Sequence, residues 1–354
     1  MKIDRLPCPT HETVLRCQDP ASGLDAFIAV HDTTLGPGLG GCRMWHYESS
    51  DAALADVLRL SAGMTAKSAL AGVPFGGGKA VIVGDPKTEK TPEKLRAFGR
   101  FVEHLQGGFI TGEDVGMCPA DMVIMSEETA FVVGRPDGRY ASGDPSPVTA
   151  EGVVRCMAVA AHQTFGGDGL QGRRIAVQGL GHVGLPLVER LRAAGAEVIA
   201  ADIDPAACAR AAALGDRIVP TAHILDVDAD IFAPCALGGV VNDETLLRLT
   251  ARIVCGSANT QLARTDHATA LAARGILYCP DYVVNAGGLI SVAGEALRIE
   301  DAGWVGEKLD AAVATFGQLL TRARREKRTP LDIADRMVSE ILGAARNRRL
   351  ARAN

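Results

Sequence analysis

The 354-residue sequence lacks a C-x-x-C pair, an apolar run long enough to cross a bilayer, and any surplus of positive charge. Its nine cysteines (Cys8, Cys17, Cys42, Cys118, Cys156, Cys208, Cys235, Cys255, Cys279) are scattered and odd in number, so neither a disulfide framework nor a zinc site is expected. A formal charge of −5 argues against a nucleic-acid partner, and 47% hydrophobic residues argue against a disordered chain. The N-terminal stretch MKIDRLPCPTHE has no apolar h-region, which with the absence of spanning runs gives the expectation of a soluble, cytoplasmic protein with no membrane partner. Internal repeats and low-complexity segments are also missing. What remains is a small-molecule partner and a chain long enough for two domains with a cleft between them.

The first hundred residues mix strand-like runs (25–30, 80–83) with a helical stretch over 51–67, as in an α/β domain. Helical patterns recur over 91–105 and 120–129, and then a turn-rich stretch from Gly134 to Pro147 reads as the crossing between domains. After a helix over 147–165, apolar strands (173–177, 197–201, 230–234, 252–256, 276–278) alternate with helix-like segments, the pattern of a doubly wound parallel sheet. The tail from Lys308 to Arg352 is helical, and its terminal Arg346, Arg348, Arg349 and Arg352 read as a solvated face rather than a nucleic-acid surface.

Ile175-Ala-Val-Gln-Gly-Leu-Gly-His-Val-Gly184 sets Gly179, Gly181 and Gly184 in G-x-G-x-x-G spacing, directly after a strand and before a helix. Glycine is needed there because the backbone must turn tightly and approach a pyrophosphate, with helix N-terminal N–H groups facing the anion. His182 and Val183 lie inside that loop, His182 as a helix N-terminal residue rather than a catalyst. The next strand ends at Asp202, placed to take the adenosine ribose hydroxyls, with Asp204 as the alternative. A carboxylate there would repel a 2′-phosphate, and no arginine immediately follows it, so NAD is expected over NADP.

In the first half, glycines surround two lysines: Gly63-Met-Thr-Ala-Lys67 and Gly76-Gly-Gly-Lys79. A P-loop fails twice, because Val73 stands where its first glycine should be and Ala80 where Ser or Thr should follow the lysine. Beside glycines a small substrate can approach an ammonium closely. Desolvation and a second ammonium nearby disfavour the charged form, which suits one lysine to general-base work while the other binds a carboxylate. Thr111-Gly-Glu-Asp-Val-Gly116 supplies Asp114 and Glu113; a carboxylate near Lys79 could relay protons, the alternative for Asp114 being a turn or cap residue.

The stretches GPGLGGCRMW, LRLSAGMTAKSALAGVPFGGGKAVI, TGEDVG, GDPSPVTAEGV, IAVQGLGHVG, APCALGGVVND, CGSANTQL and PDYVVNAGGLI together resemble the glutamate/leucine/phenylalanine/valine dehydrogenase family, over about Gly36 to Val292. The resemblance implies an α/β fold of two domains. The first is an α/β substrate-binding and oligomerisation domain over 1–143. The second is a Rossmann-type doubly wound NAD-binding domain over 144–330, followed by a helical tail, 331–354, that could return to the first domain. It implies an NAD-dependent conversion of an L-amino acid to the 2-oxo acid and ammonium by a homo-oligomer. Lys67 would hold the substrate α-carboxylate, Lys79 would activate water, and Asp114 would move protons at the nitrogen. Gly40 and Gly41 would hold substrate through their backbone, with Met64 and Val292 lining its pocket. Thr149 and Asn259 would lie near the nicotinamide, Asn259 also near substrate, and Ala236 near the adenosine ribose. Asn285 falls where the chain crosses back.

Glutamate-specific members carry a lysine before the Gly-Gly pair; here Leu39 stands there, so an apolar substrate is expected. Gly112 and Leu289 match some phenylalanine-type members, where leucine-type members have Ala and Val, so phenylalanine is expected ahead of leucine or valine. Met117-Cys118-Pro119 and Ser291 to Trp304 depart from the leucine-type pattern. The competing readings are a 2-hydroxy-acid dehydrogenase, which would need a His-carboxylate pair, and a non-enzymatic NAD-binding protein, which would leave the lysines and Asp114 without a task.

Overall fold

The computed structural model describes residues 1–167 and 169–353, and the chain divides into two compact units. Unit 1 comprises Met1–Pro145, Leu289–Lys308 and Val338–Asn354; unit 2 comprises Ser146–Gly288 and Leu309–Met337.

Unit 1 is built on strands β1 (Lys2–Arg5), β2 (Thr13–Asp19), β3 (Leu24–Asp32), β4 (Gly38–Trp45), β5 (Gly76–Val83) and β6 (Phe109–Glu113), with helices α1 (Ser50–Ala71), α2 (Pro92–Glu103) and α3 (Pro119–Ser126). The strands form one sheet in the order β1-β2-β3-β5-β4-β6. The pairs from β1 through β5 are antiparallel, while β5, β4 and β6 run parallel. Alternation along the strands gives the sheet two apolar faces. Phe27, Ala29 and Val81 pack with Ala53 and Val57 of α1. Ile28, Cys42 and Ile82 pack with Phe98, Phe101, Met122 and Met125 of α2 and α3. Each fully buried side chain of this size contributes roughly 1.5–3 kcal/mol. Helix α1 begins where the Ser49 side chain accepts the Ala52 N–H and stops at Gly72, whose φ of 65° ends the helical path.

Unit 2 contains α4 (Ser146–Phe165), β7 (Arg174–Gln178), α5 (Gly184–Ala193), β8 (Glu197–Ala201), α6 (Pro205–Ala213), β9 (Arg217–Ile218), β10 (Ile231–Pro234), α7 (Thr245–Arg248), β11 (Ile253–Val254), α8 (His267–Ala273), β12 (Leu277–Tyr278) and α9 (Asp281–Val284). Its sheet has the order β12-β11-β10-β7-β8-β9 and is parallel throughout, the doubly wound arrangement: the chain starts at the central β7, runs outward through β8 to β9, and returns to β10 on the other side, so the topological switch lies between β7 and β10. Helices α10 (Gly287–Ala296), α11 (Trp304–Glu326) and α12 (Pro330–Ala353) complete the chain.

The division departs from the expected 1–143, 144–330 and 331–354. The boundary falls at Pro145/Ser146, and Leu289–Lys308, expected in the second domain, belongs to unit 1. The tail joins unit 1 from Val338 rather than from 331, because α12 continues unbroken through that point and only its packing changes. The basic end of that helix is not simply a solvated face. Arg346 Nη2 lies 2.5 Å from the buried Asp32 carboxylate and its Nε donates to Thr34, while Arg349 donates to the Thr33 carbonyl.

Candidate active site

The glycine-lysine block of the first half lies on strands. Gly76 to Lys79 opens β5, Gly38 to Trp45 forms β4, and Thr111 to Glu113 ends β6. Cys42 pairs with Ala80 and Gly41 with Gly112, so Lys79, Gly41 and Gly112 fall in one row across three parallel strands. Beyond β6 a single bridge joins Thr111 to Val132, and the Val133 N–H donates to the Thr111 carbonyl at 2.8 Å, which extends the row to Val133.

Two glycines permit this arrangement by lacking a side chain. A Cβ on Gly77 would lie 2.1 Å from Thr65 Oγ1 and 2.3 Å from the Ser61 carbonyl, so α1 rests directly on the β5 backbone. A Cβ on Gly41 would lie 2.4 Å from the Glu113 carbonyl oxygen and 3.0 Å from Asp114 Cβ. The close approach leaves Lys79 Nζ 2.5 Å from Asp114 Oδ2, both side chains about nine-tenths buried.

Sequence reasoning missed Arg43, which stands next to Cys42 inside the GPGLGGCRMW stretch but was given no role there. Its Nη2 stands 3.5 Å from Asp114 Oδ2 and its Nη1 3.0 Å from Asp56, which also accepts the Tyr47 hydroxyl. Burial alone would raise the Asp114 carboxyl, but Lys79, then Arg43, and the Val115 N–H outweigh it and hold the acid well below its ordinary range. The neighbouring Glu113 goes the other way: burial first, then Asp144 and Asp121, push it up to about 7.

Around this pair, a Cβ on Gly40 would touch Met64 Cγ at 3.2 Å, and Lys67 follows one turn later on α1, half-buried. Leu39 is wholly buried with no exposed surface, so its position supplies no cation and no accessible wall. A Cβ on Gly112 would meet Val133 Cγ2 at 3.2 Å. Leu289 and Val292 lie on consecutive turns of α10, in the part of that helix belonging to unit 1.

In unit 2 the strand-loop-helix motif is present as read. Gly179 has φ 100°, and a Cβ there would sit 2.9 Å from the Ala236 N and 3.0 Å from its Cβ. A Cβ on Gly184 would fall 2.0 Å from the Gly179 carbonyl, while Gly181 faces open space. His182 is exposed and Val183 half-buried just before α5. The loop is thus closed beneath and open above, as a pyrophosphate on a helix N-terminus requires. Asp202 directly follows the last residue of β8 and is partly exposed; its Oδ2 accepts the Leu180 N–H at 2.5 Å. Asp204, the alternative, instead caps α6 through the Ala206 N–H.

Asn285 donates to Asn259 Oδ1 at 2.8 Å and to the Ser257 carbonyl, fixing the Asn259 amide. The fully buried Gln261, also missed in the sequence, braces the same turn by donating to the Gly256 and Ala258 carbonyls. Thr149 lies in the first turn of α4, where a Cβ on Gly287 would come within 2.9 Å of its Cα. A cavity of about 890 Å³ lined by Arg174, Glu197 and Arg217 opens at the starting ends of β7 to β9, opposite the glycine loop. Among the described residues no cluster of His, Cys, Asp or Glu suits a metal ion, and no helix is long and apolar enough to cross a membrane.

A parallel sheet in this order, with its glycine loop and acidic strand end, in a chain whose other unit is a mixed sheet holding a buried lysine-carboxylate pair, defines a dehydrogenase of the nicotinamide-dinucleotide class. Residues 11–131 match the Glu/Leu/Phe/Val dehydrogenase dimerisation domain and 209–324 match the Glutamate/Leucine/Phenylalanine/Valine dehydrogenase domain. The chain is 46% identical over 340 residues to leucine dehydrogenase of Geobacillus stearothermophilus, covering 96% of this chain and 92% of that one. It is 50% identical over 291 residues to phenylalanine dehydrogenase of Lysinibacillus sphaericus, covering 80% and 76%. The crystal structure of L-tryptophan dehydrogenase from Nostoc punctiforme superposes with a TM-score of 0.79 at 40% identity, covering 95% of this chain and 97% of that one. The chain belongs to the glutamate/leucine/phenylalanine/valine dehydrogenase family and is an amino-acid dehydrogenase.

Proposed function

We propose that this enzyme reversibly deaminates an apolar L-amino acid, phenylalanine ahead of leucine or valine, with NAD, and that it works as a homo-oligomer. The observation that carries the reading is the buried Lys79–Asp114 pair beside the glycines of β4 and β6. The relatives named above for leucine, phenylalanine and tryptophan support an apolar substrate, as does the buried Leu39 in place of a cation. The family model for the first unit, a dimerisation domain, supports the oligomer.

In this reading Lys67 holds the substrate carboxylate. Asp114, ionised in the resting pair, takes a proton from the substrate ammonium. A bound nicotinamide would supply the acceptor for the hydride that leaves Cα. Lys79 gives up its ammonium proton as the substrate binds, and the neutral amine then takes a proton from the water that attacks the resulting imine carbon. Asp114 returns its proton to the nitrogen, the carbon–nitrogen bond breaks, and the carbinolamine hydroxyl proton leaves with the nitrogen as ammonium. One proton is released overall, and the 2.5 Å contact gives it a path between the two side chains. Thr149, Asn259 and Ala236 would contact the dinucleotide, whose pyrophosphate would rest on the loop of Gly179, Gly181, His182, Val183 and Gly184. Asp202 would accept the ribose hydroxyls and repel a 2′-phosphate.

An NADH absorbance assay at alkaline pH with L-phenylalanine, leucine, valine, tryptophan and glutamate, run in parallel with NADP, tests the reading. Turnover of at least one apolar amino acid with NAD, and little of glutamate, is expected. Turnover of glutamate alone, or of a 2-hydroxy acid alone, would refute it.

A further inference from the structure

We propose that Glu295 is a positioning residue for substrate selection: by gripping the loop 134–142 it holds Val133 against Gly112 and sets how large a side chain the pocket admits. The proposal rests on the reading of Gly112 and Leu289 as pocket residues.

Glu295 is a carboxylate with 3% of its side chain exposed, and the arginine paired with it, Arg135, is itself 35% exposed and belongs to the loop. Its contacts converge on one segment of chain. Oε2 accepts the Gly134 N–H at 2.8 Å, the Ser142 N–H at 3.0 Å and the Ser142 hydroxyl at 2.7 Å, and Oε1 takes Arg135 Nε at 3.3 Å. Burying a charge is tolerated only where such charge-assisted hydrogen bonds replace its water. A general need for helix stability does not call for this arrangement, since an apolar side chain would serve it better.

The gripped loop has little order of its own. It carries positive φ at Gly134 (79°), Gly138 (112°) and Gly143 (61°), and no regular element runs from Gly134 to Pro145. Immediately before it, Val133 is tied to Thr111 of β6, and its Cγ2 stands where a Cβ on Gly112 would meet it at 3.2 Å. The anchor and the wall are therefore adjacent: Gly134, held by Glu295, follows Val133 directly. Helix α10 carries Leu289 and Val292 on the two turns before Glu295, so one rigid element presents two pocket residues and fastens the wall facing a third.

The test compares Glu295→Gln, Glu295→Ala and the milder Ser142→Ala, reading kcat and KM for phenylalanine and valine with the whole enzyme, alongside the dissociation constant for NADH. Glu295→Gln keeps one acceptor oxygen and should stay near wild type. Glu295→Ala should raise KM more than it lowers kcat and change the phenylalanine-to-valine ratio of kcat/KM by about fivefold or more, inside the range a single methylene spans. Ser142→Ala, which removes one of the three donors to Oε2, should move the same ratio in the same direction by less, and it serves if Glu295→Ala does not fold. NADH binding should be unchanged. Variants that lose thermal stability but keep the wild-type ratio would make the clamp purely structural and overturn the proposal. A wild-type enzyme that turns over no apolar amino acid would instead remove the pocket reading beneath it.

Discussion

Asp202 Oδ2 accepts the Leu180 N–H at 2.5 Å while Oδ1 takes the Asp204 N–H at 2.7 Å, so the carboxylate proposed to bind ribose also bolts down the glycine loop. Asp202→Asn keeps an acceptor oxygen for Leu180 and removes the charge. It is expected to lower the NAD-to-NADP preference in kcat/KM by about tenfold, equivalent to some 1.4 kcal/mol, with little change in Tm. Asp202→Ala should also loosen the loop, at a cost of about 1 kcal/mol per lost hydrogen bond. An unchanged cofactor preference in Asp202→Asn would show that the loop tie is its whole role.

For the reacting pair, Lys79→Ala is expected to lower kcat by about 10²–10⁴-fold, the usual reach of a general base, with NADH binding intact. Lys67→Ala should act mostly on KM for the amino acid. Steady-state rates across substrate concentration separate the two, and a Lys79→Ala enzyme of normal kcat would refute the base assignment.

Asp114→Asn leaves the buried Lys79 without its counter-charge, while Arg43 keeps Asp56, and should cost about 3–5 kcal/mol of stability as well as activity. Because the folded carboxyl lies below its ordinary 3.8, its contribution is complete above that pH and disappears only as the pH falls through the depressed value. Denaturant midpoints at pH 5 and pH 8 should therefore show the same loss; a loss confined to one of them would contradict the ion pair.

Glu113 predicts the opposite slope. Its folded carboxyl is raised from 4.5 to about 7, so the folded state favours the proton, and the stability this confers is present below 4.5 and lost as the pH rises toward 7. Glu113→Gln should flatten the fall in Tm between pH 4.5 and 7.5. A variant whose pH profile follows wild type would mean that Glu113 stays solvated.

Gly112→Ala places a Cβ 3.2 Å from Val133 Cγ2. The pocket should narrow, and kcat/KM should shift from phenylalanine toward leucine or valine by an amount worth about 1–3 kcal/mol. Competition assays with mixed amino acids would read the shift; an unaltered ranking would remove Gly112 from the pocket.

Much of the dinucleotide half was legible in the chain. Strand β7, Gly179, Gly181, Gly184 and Asp202 stand in a contiguous strand-turn-helix-strand unit, where hydrophobic period and backbone geometry are local properties. The glycines of β4 and β5 were harder to place. They look like loop residues, yet they lie in strands because Thr65 of α1 and Glu113 of β6 press against their backbones. The helix expected over 120–129 runs from Pro119 to Ser126, whereas the sequence reading placed no strand at β1 or β2.

The sequence by itself determined which chemistry was available: two lysines and a carboxylate among glycines, and a turn shaped for a pyrophosphate. Each of these follows from residue type and short spacing. Only the tertiary structure decided who meets whom. Strand order β5-β4-β6 sets Lys79 against Asp114 and adds Arg43 to them, and the return of α10 to the first unit delivers Glu295 to Gly134, 161 residues away. Such pairings are written by register and packing across the whole chain, and no local pattern encodes them.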